Sequence, residues 1–193
     1  MKHLPLILAA VALLCPRAAA GQDSKKWKPY QFVGNERYDY KVVMSNDEEK
    51  KESGWILDLR KKGAEDFEVT QSYRNVVKKT LPGPEILAGS MGLGMSPIFF
   101  LMNPAYSAFL EQLELKEGEK LSLFGAGMIK VTAKETVGGR TGYTCKFFTK
   151  QEDKDVLACE WTIDPELALP LRSVTYEGGK EKFRFDLLSY KKD

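Results

Sequence analysis

The chain of 193 residues has one histidine, three cysteines and, past its N-terminus, no apolar run of the roughly 20 residues that a membrane span needs. The histidine is His3, which lies in a segment that we expect to be removed on export. The mature chain then has no Ser-His-Asp or Cys-His pair, no histidine base and no His-ligated zinc. Its two remaining cysteines are too few for a four-cysteine metal site.

The sequence also lacks a phosphate-binding loop. The glycine-rich segment Gly89–Gly94 (GSMGLG) has no following Gly-Lys-Ser/Thr and no flanking strand pattern. The acidic residues mostly alternate with apolar ones or lie in turns, where solvent exposure explains them. We therefore expect a protein that is not an enzyme, with no catalytic residue, no metal and no cofactor.

The N-terminus has the three parts of a secretory signal peptide. Lys2 precedes the apolar stretch Leu4–Leu14, and the small residues Ala18–Ala20 follow. We expect residues 1–20 to be a signal peptide cut after Ala20, which places the mature protein in the periplasm or outside the cell. A buried N-terminal helix is disfavoured because the stretch ends in Cys-Pro-Arg and an alanine run.

Lipid anchoring at Cys15 is also disfavoured. The bacterial lipoprotein pattern requires a small residue before the modified cysteine, and Leu14 stands there. A lipid anchor would decide whether the protein stays at a membrane. We therefore expect a protein that is not lipidated and has no transmembrane segment after processing.

The charges of the mature chain balance. Removal of residues 1–20 takes Lys2 and Arg17 from the 29 basic residues, leaving 27 against 27 acidic ones. Nucleic-acid binding requires a basic surface that displaces counterions from phosphates. We therefore expect no nucleic acid among the partners.

From residue 32 onward, apolar side chains recur at every second position, which is the period of a half-buried β-strand. The first three runs are Tyr38–Met44, Trp55–Leu59 and Phe67–Val77, and similar runs resume at Lys120 and continue to Tyr190. The pattern predicts one domain over 32–193, with eight or nine consecutive antiparallel strands. Residues 21–31 are polar, and we expect them to be a flexible arm.

Residues 85–113 interrupt this alternation after the third strand. The segment is strongly apolar and contains Pro97 and Pro104. Ser96 and Asn103 precede these prolines, as capping residues do at the start of a helix. The sequence therefore predicts a short helical insertion, which makes the fold class mainly β (α+β).

Two patterns predict a disulfide between Cys145 and Cys159. Both cysteines fall on the apolar face of their strands, 141–149 and 156–163. If these strands form a hairpin centred on residue 152, the cysteines lie directly opposite each other, with Cβ atoms about 4.5–5.5 Å apart. Export exposes them to oxidising conditions.

Three phrases of the sequence resemble the LolA/LolB-type lipoprotein-carrier superfamily, and most closely its uncharacterised bacterial periplasmic relatives. They are FVGNERYDY (Phe32–Tyr40), WTIDP (Trp161–Pro165) followed by LPL (Leu169–Leu171), and DLLSY (Asp186–Tyr190). The resemblance implies a curved antiparallel half-barrel with a helical cover over its concave side and an apolar cavity between. It also implies binding of acyl chains or other apolar ligands, or a role in envelope assembly.

A separate physical argument also predicts a cover, because a sheet of eight or nine strands must curl, close or be covered. The apolar segment 85–113 is the cover that the sequence offers, and its glycines and methionines suit a movable lid. The same segment could equally plug a dry core permanently. The residues expected to line a cavity are Met95, Phe99, Phe100, Met102 and Phe109 from the insertion, and Tyr38, Tyr40, Trp55, Leu57, Phe67, Val69 and Trp161 from the sheet.

The function that these patterns favour is a periplasmic or secreted, non-catalytic binding or carrier protein. Its ligand would be a lipid, a lipoprotein acyl chain or another apolar small molecule. The alternative is an envelope assembly or structural protein with protein partners and no ligand cavity. An open apolar cavity distinguishes the first hypothesis from the second.

The first prediction concerns processing. The protein exported by an expressing cell should begin at Gly21 and have no lipid on Cys15, because the small residues at Ala18 and Ala20 suit signal peptidase. Intact mass spectrometry of the exported protein measures this. A diacyl adduct on Cys15 would contradict it.

Overall fold

The computed structural model describes residues 25–45, 49–75, 111–123, 125, 127–152 and 154–193. These residues form eleven strands in two antiparallel sheets. The strands are β1 (Lys25–Lys26), β2 (Glu36–Ser45), β3 (Lys50–Lys61), β4 (Phe67–Asn75), β5 (Glu114–Leu115), β6 (Lys120–Ser122), β7 (Met128–Val137), β8 (Arg140–Gln151), β9 (Lys154–Ile163), β10 (Arg172–Glu177) and β11 (Lys180–Lys192).

Nine strands form the large sheet in the order β4-β3-β2-β11-β10-β9-β8-β7-β6, and β1 pairs with β5 in a small ribbon. The large sheet consists of two meanders, β2–β4 and β6–β11, which are joined where β2 pairs with β11. This joint connects strands from opposite ends of the chain. Every other pairing in the large sheet links strands that are consecutive in sequence.

The fold class predicted from the sequence is wrong for the described part of the chain. That part is all β and contains no helix, and its nine-stranded sheet is not closed, since β4 and β6 lie at opposite ends without pairing. The insertion expected at 85–113 lies outside the described residues except at its end. Residues 111–113 form a turn that leads into β5.

Alternation along the strands gives the large sheet one apolar face, which we call the inner face. Tyr38 and Tyr40 of β2, Trp55 of β3 and Phe185 of β11 are buried on it. A second cluster of buried side chains surrounds Trp161 on β7–β9. The opposite, outer face carries most of the charged residues of the same strands.

Two segments without long strands pack on the inner face. Trp27 is only 1% exposed, and its Nε1 donates a hydrogen bond to the Leu167 carbonyl at 2.7 Å. The Tyr30 amide donates to the Ala168 carbonyl at 2.9 Å, and Leu169 is buried in the cluster of Tyr38. Residues 25–31, which we expected to belong to a flexible arm, are therefore packed against the sheet. The loop 164–171 also covers the inner face, a role that the sequence indicated only for residues 85–113.

Two-residue turns set the register of two hairpins. Gly138 and Gly139 connect β7 to β8 with φ of 58° and 79°, the left-handed values that a type I′ turn requires at both central positions. Gly178 and Gly179 connect β10 to β11 in the same way. The twist of such turns matches that of the paired strands.

The packing of Trp27 generates the second prediction. Trp27→Ala should lower the free energy of unfolding by about 3–5 kcal/mol, as for other large-to-small core substitutions. Chemical denaturation followed by far-UV circular dichroism measures the effect. Val33→Ala, just beyond this segment, is the control, since Val33 is 61% exposed and its truncation should change stability by less than about 0.5 kcal/mol. Equal stability of both variants would show that residues 25–31 are a free arm.

Candidate functional site

Five of the seven sheet-side residues predicted to line a cavity lie together, and two do not. Tyr38, Tyr40, Trp55 and Leu57 are buried in one cluster, with Phe67 packed against it. Trp161 belongs to the second cluster, and Val69 is 51% exposed on β4. The five lid-side residues Met95, Phe99, Phe100, Met102 and Phe109 lie outside the described residues, so the cavity stays a prediction.

The centre of the inner face is filled by the protein's own aromatic rings. Tyr40 stacks between Tyr38 and Trp55, with ring centroids 6.3 and 5.5 Å away. Phe185 meets both Tyr40 and Trp55 edge-on, at 5.9 and 5.5 Å. The Tyr40 hydroxyl donates to the Pro170 carbonyl at 2.8 Å. The rings and this hydrogen bond leave the centre packed like a protein core.

The inner face is less well covered at β4. Phe67, Val69 and Tyr73 continue the apolar pattern onto this outermost strand, and Trp55 of β3 lies directly opposite Tyr73. Val69 is half exposed although its cross-strand partner Leu59 is buried. We call Trp55, Phe67, Val69 and Tyr73 the apolar strip.

Two polar atoms of the apolar strip are buried without a hydrogen-bond partner. They are the Trp55 indole Nε1 and the Tyr73 hydroxyl, and neither finds a donor or acceptor in the structure. Burial raises the pKa of Tyr73 above its ordinary value, so its hydroxyl keeps its proton and remains a donor. The apolar strip thus contains two unused donors, which belong to residues that lie opposite each other on β3 and β4.

Sequence reasoning missed a buried carboxylate in the FVGNERYDY phrase. Glu36 accepts a hydrogen bond from the Tyr38 hydroxyl at 2.6 Å and another from the Val33 amide at 2.8 Å. Burial, and then the bond to Glu36, raises the pKa of Tyr38 well above its ordinary value. The alternation along β2 could have revealed it, because Glu36 lies two residues before Tyr38 and therefore on the same inward-facing side. These contacts tie the chain entering β2 to the sheet and assign Glu36 a structural role.

A network of ion pairs on the outer face was also missed. Arg172 donates to both Glu135 and Asp186, and Thr162 Oγ1 donates to Glu135 Oε2 at 3.2 Å. Arg184 lies 4.0 Å from Asp186 and pairs with a carboxylate of its own strand. Both guanidinium groups are thus already paired with carboxylates, which suits cross-strand bracing rather than capture of an anion.

The predicted register of β8 and β9 is wrong. Cys145 lies opposite Trp161, and Cys159 lies opposite Phe147, two residues away from the expected pairing. Both thiols are buried and free. A register shift at Phe147–Phe148 separates the turn from the cysteines, and alternation in the sequence does not reveal it. The cysteines are therefore diagonal neighbours on the inner face and form no disulfide in this structure.

Three surface pockets of about 200, 320 and 360 Å³ are lined mainly by charged and polar residues. None of the three is lined by a residue of the predicted cavity. Among the described residues, no helix is long and apolar enough to cross a membrane. The same part of the chain holds no group of three or more His, Cys, Asp or Glu side chains that could bind a metal.

Comparisons with known proteins do not identify a family for this chain. No family model matches the chain, and no curated protein matches it. One similar solved structure is a protein from Bacteroides fragilis that is described as exported and as having a YmcC-like fold. It is 11% identical, with a TM-score of 0.38, over 88% of this chain and 100% of that one. This likeness is too low to carry a fold or a function over, and the resemblance to the LolA/LolB superfamily is not confirmed.

The buried phenols and thiols generate the third prediction. Burial raises the pKa of Cys159 from 9.0 and of Tyr190 from 10.0, each to about 12. Their stabilising contribution is complete below pH 9. It is lost as the pH rises towards 12, because the unfolded chain releases these protons before the folded one does. Urea denaturation at a series of pH values from 7 to 11 should therefore show a falling free energy of unfolding above pH 9. A constant value to pH 11 would contradict this burial.

Proposed function

We propose that this chain is an exported, non-catalytic binding or carrier protein for a lipid or lipoprotein acyl chain. The apolar strip holds the chain, and Trp55 and Tyr73 donate hydrogen bonds to the carbonyl of its ester or amide group. The observation that carries the proposal is the pair of unused donors buried side by side on an incompletely covered apolar surface.

The energetic argument starts from the cost of those donors. A buried polar group without a partner costs about 1–3 kcal/mol relative to one that is satisfied. On the same face, Trp27 Nε1 and the Tyr40 hydroxyl avoid this cost by donating to Leu167 and Pro170. Ser173 Oγ, in the middle of the sheet, is also buried without a partner. At β4, unlike at Ser173, two such groups belong to opposite neighbours beside the half-exposed Val69, an arrangement typical of a site completed by a ligand, since binding sites trade stability for function.

The chemistry of the apolar strip selects the ligand class. Both donors are neutral, and the residues between them and Val69 on the inner face, Leu57 and Gln71, carry no charge. A neutral carbonyl acceptor therefore suits the site better than an ion, which would lose hydration without a counter-charge. From Tyr73 to Phe67 the strand extends about 20 Å, at roughly 3.3 Å per residue, along which an extended acyl chain can lie.

Export is the second part of the proposal, and the N-terminal sequence supports it. The pattern of Leu4–Leu14 and Ala18–Ala20 favours secretion, and an acyl-binding protein has an obvious use between two membranes. An envelope assembly protein without a ligand is the competing hypothesis. It predicts that the apolar strip only packs against protein.

The fourth prediction uses Tyr73→Phe, which removes the hydroxyl and keeps the ring. The variant should bind monoolein, an uncharged acyl ester, about three- to tenfold more weakly, because one hydrogen bond is lost. Its free energy of unfolding should be unchanged or higher, since an unsatisfied group leaves the core. Affinity is measured by displacement of N-phenyl-1-naphthylamine, and stability by urea denaturation.

The matched control is Tyr176→Phe. The Tyr176 hydroxyl interacts with Glu160 away from the apolar strip, so its loss should leave monoolein affinity unchanged. A wild-type protein that binds neither the probe nor monoolein would favour the envelope assembly hypothesis. Equal affinity of the wild-type and Tyr73→Phe proteins would exclude Tyr73 from the site.

A further inference from the structure

The two edges of the large sheet are protected very differently. The β6 edge has only three residues and begins with Lys120. The β4 edge has nine residues, contains no proline or lysine, and pairs with β3 without a register shift. Long, regular edges are normally blunted by lysine, proline or bulges, because their unpaired backbone groups invite another strand. Within the described residues, β4 pairs only with β3.

The sequence of β4, FEVTQSYRN, is complementary to itself in the antiparallel direction. Pairing about Gln71 joins all nine residues to those of a second copy. This register places Glu68 opposite Arg74 of the other copy, twice per pair of chains. It also keeps the faces matched, since Val69 meets Tyr73 of the second copy on the inner side.

Neighbouring registers either pair fewer residues and lose the ion pairs, or mismatch the faces of the two strands. A shift of one strand by two residues pairs seven of the nine residues and moves either Glu68 or Arg74 out of the paired stretch. A shift by one residue would place inner side chains against outer ones. Full length and charge complementarity therefore select the same register independently.

The charged residues are available for this contact. The Glu68 side chain is 54% exposed and pairs with Lys62, and the Arg74 side chain is 60% exposed and pairs with Asp39. Arginine has five donors, and Asp39 engages one of its terminal nitrogens. The Arg74 side chain reaches Asp39 across Gly54, away from the β4 edge, so its pairing with Glu68 of the second copy exchanges one exposed ion pair for another.

We propose that the protein forms a twofold symmetric dimer in which two β4 strands pair antiparallel about Gln71, extending one sheet across both copies. The apolar strips of the two copies then adjoin at Val69 and Tyr73. This inference rests on the strand edge alone and holds whether or not the apolar strip binds lipid.

Cysteine cross-linking tests the register directly. In the mature chain, whose own thiols Cys145 and Cys159 are buried, Gln71→Cys should form an intersubunit disulfide on mild oxidation, because residue 71 faces its own copy at the twofold axis. Val69→Cys and Tyr73→Cys are the controls. In this register, position 69 lies about 13 Å from its own copy along the strand and should not cross-link. Preferential cross-linking through position 69 or 73 would overturn the proposal.

Charge reversal tests the ion pairs. Glu68→Arg and Arg74→Glu should each weaken dimerisation about tenfold in sedimentation equilibrium, and the double variant should restore it. Far-UV circular dichroism confirms that each variant is folded. A wild-type protein that stays monomeric, or that adds a strand from an unrelated peptide at this edge instead, would overturn the dimer. A monomer that binds monoolein would still leave the proposed function standing.

Discussion

The pairing of β2 with β11 is the contact on which the rest of the structure depends. It joins the meander β2–β4 to the meander β6–β11, and without it the chain would form two smaller sheets. It also assembles the aromatic centre, since Tyr40 of β2 and Phe185 of β11 meet edge-on beside Trp55. The pairing is non-local, so its loop-closure entropy is offset only when the buried rings are in place.

The same joint determines where the inner face is full and where it is not. Close to β11, aromatic rings and the loop 164–171 occupy the face, and the Pro170 carbonyl of this loop accepts the hydrogen bond of the Tyr40 hydroxyl. Three strands away, at β4, Val69 is 51% exposed, and Trp55 and Tyr73 keep their donors unpaired. Both hypotheses therefore concern β4. The binding hypothesis rests on its partly exposed inner face, and the dimer hypothesis rests on its outer edge.

Local pattern located most of the long strands but could not supply their partners. Period-two alternation fixes which side chains point inward, so Tyr38 and Trp55 could be assigned to one face from the sequence. It locates neither turn centres nor bulges: the β8–β9 turn pairs Gln151 with Lys154, one residue away from the expected register, and the shift at Phe147–Phe148 adds the second residue. Trp27 was hidden by its polar neighbours, and the unused donor of Tyr73 depends on packing that only the folded chain defines.

The central claim is that the apolar strip is a binding site, in which the Trp55 indole and the Tyr73 hydroxyl donate hydrogen bonds to a ligand. Indole resonances of ¹⁵N-tryptophan-labelled protein, recorded by NMR during a monoolein titration, test it most directly. The account predicts a downfield shift of the Trp55 indole proton as it gains an acceptor, while the Trp27 indole, already bonded to Leu167, stays in place. A Trp55 resonance that does not move at saturating monoolein would contradict the account.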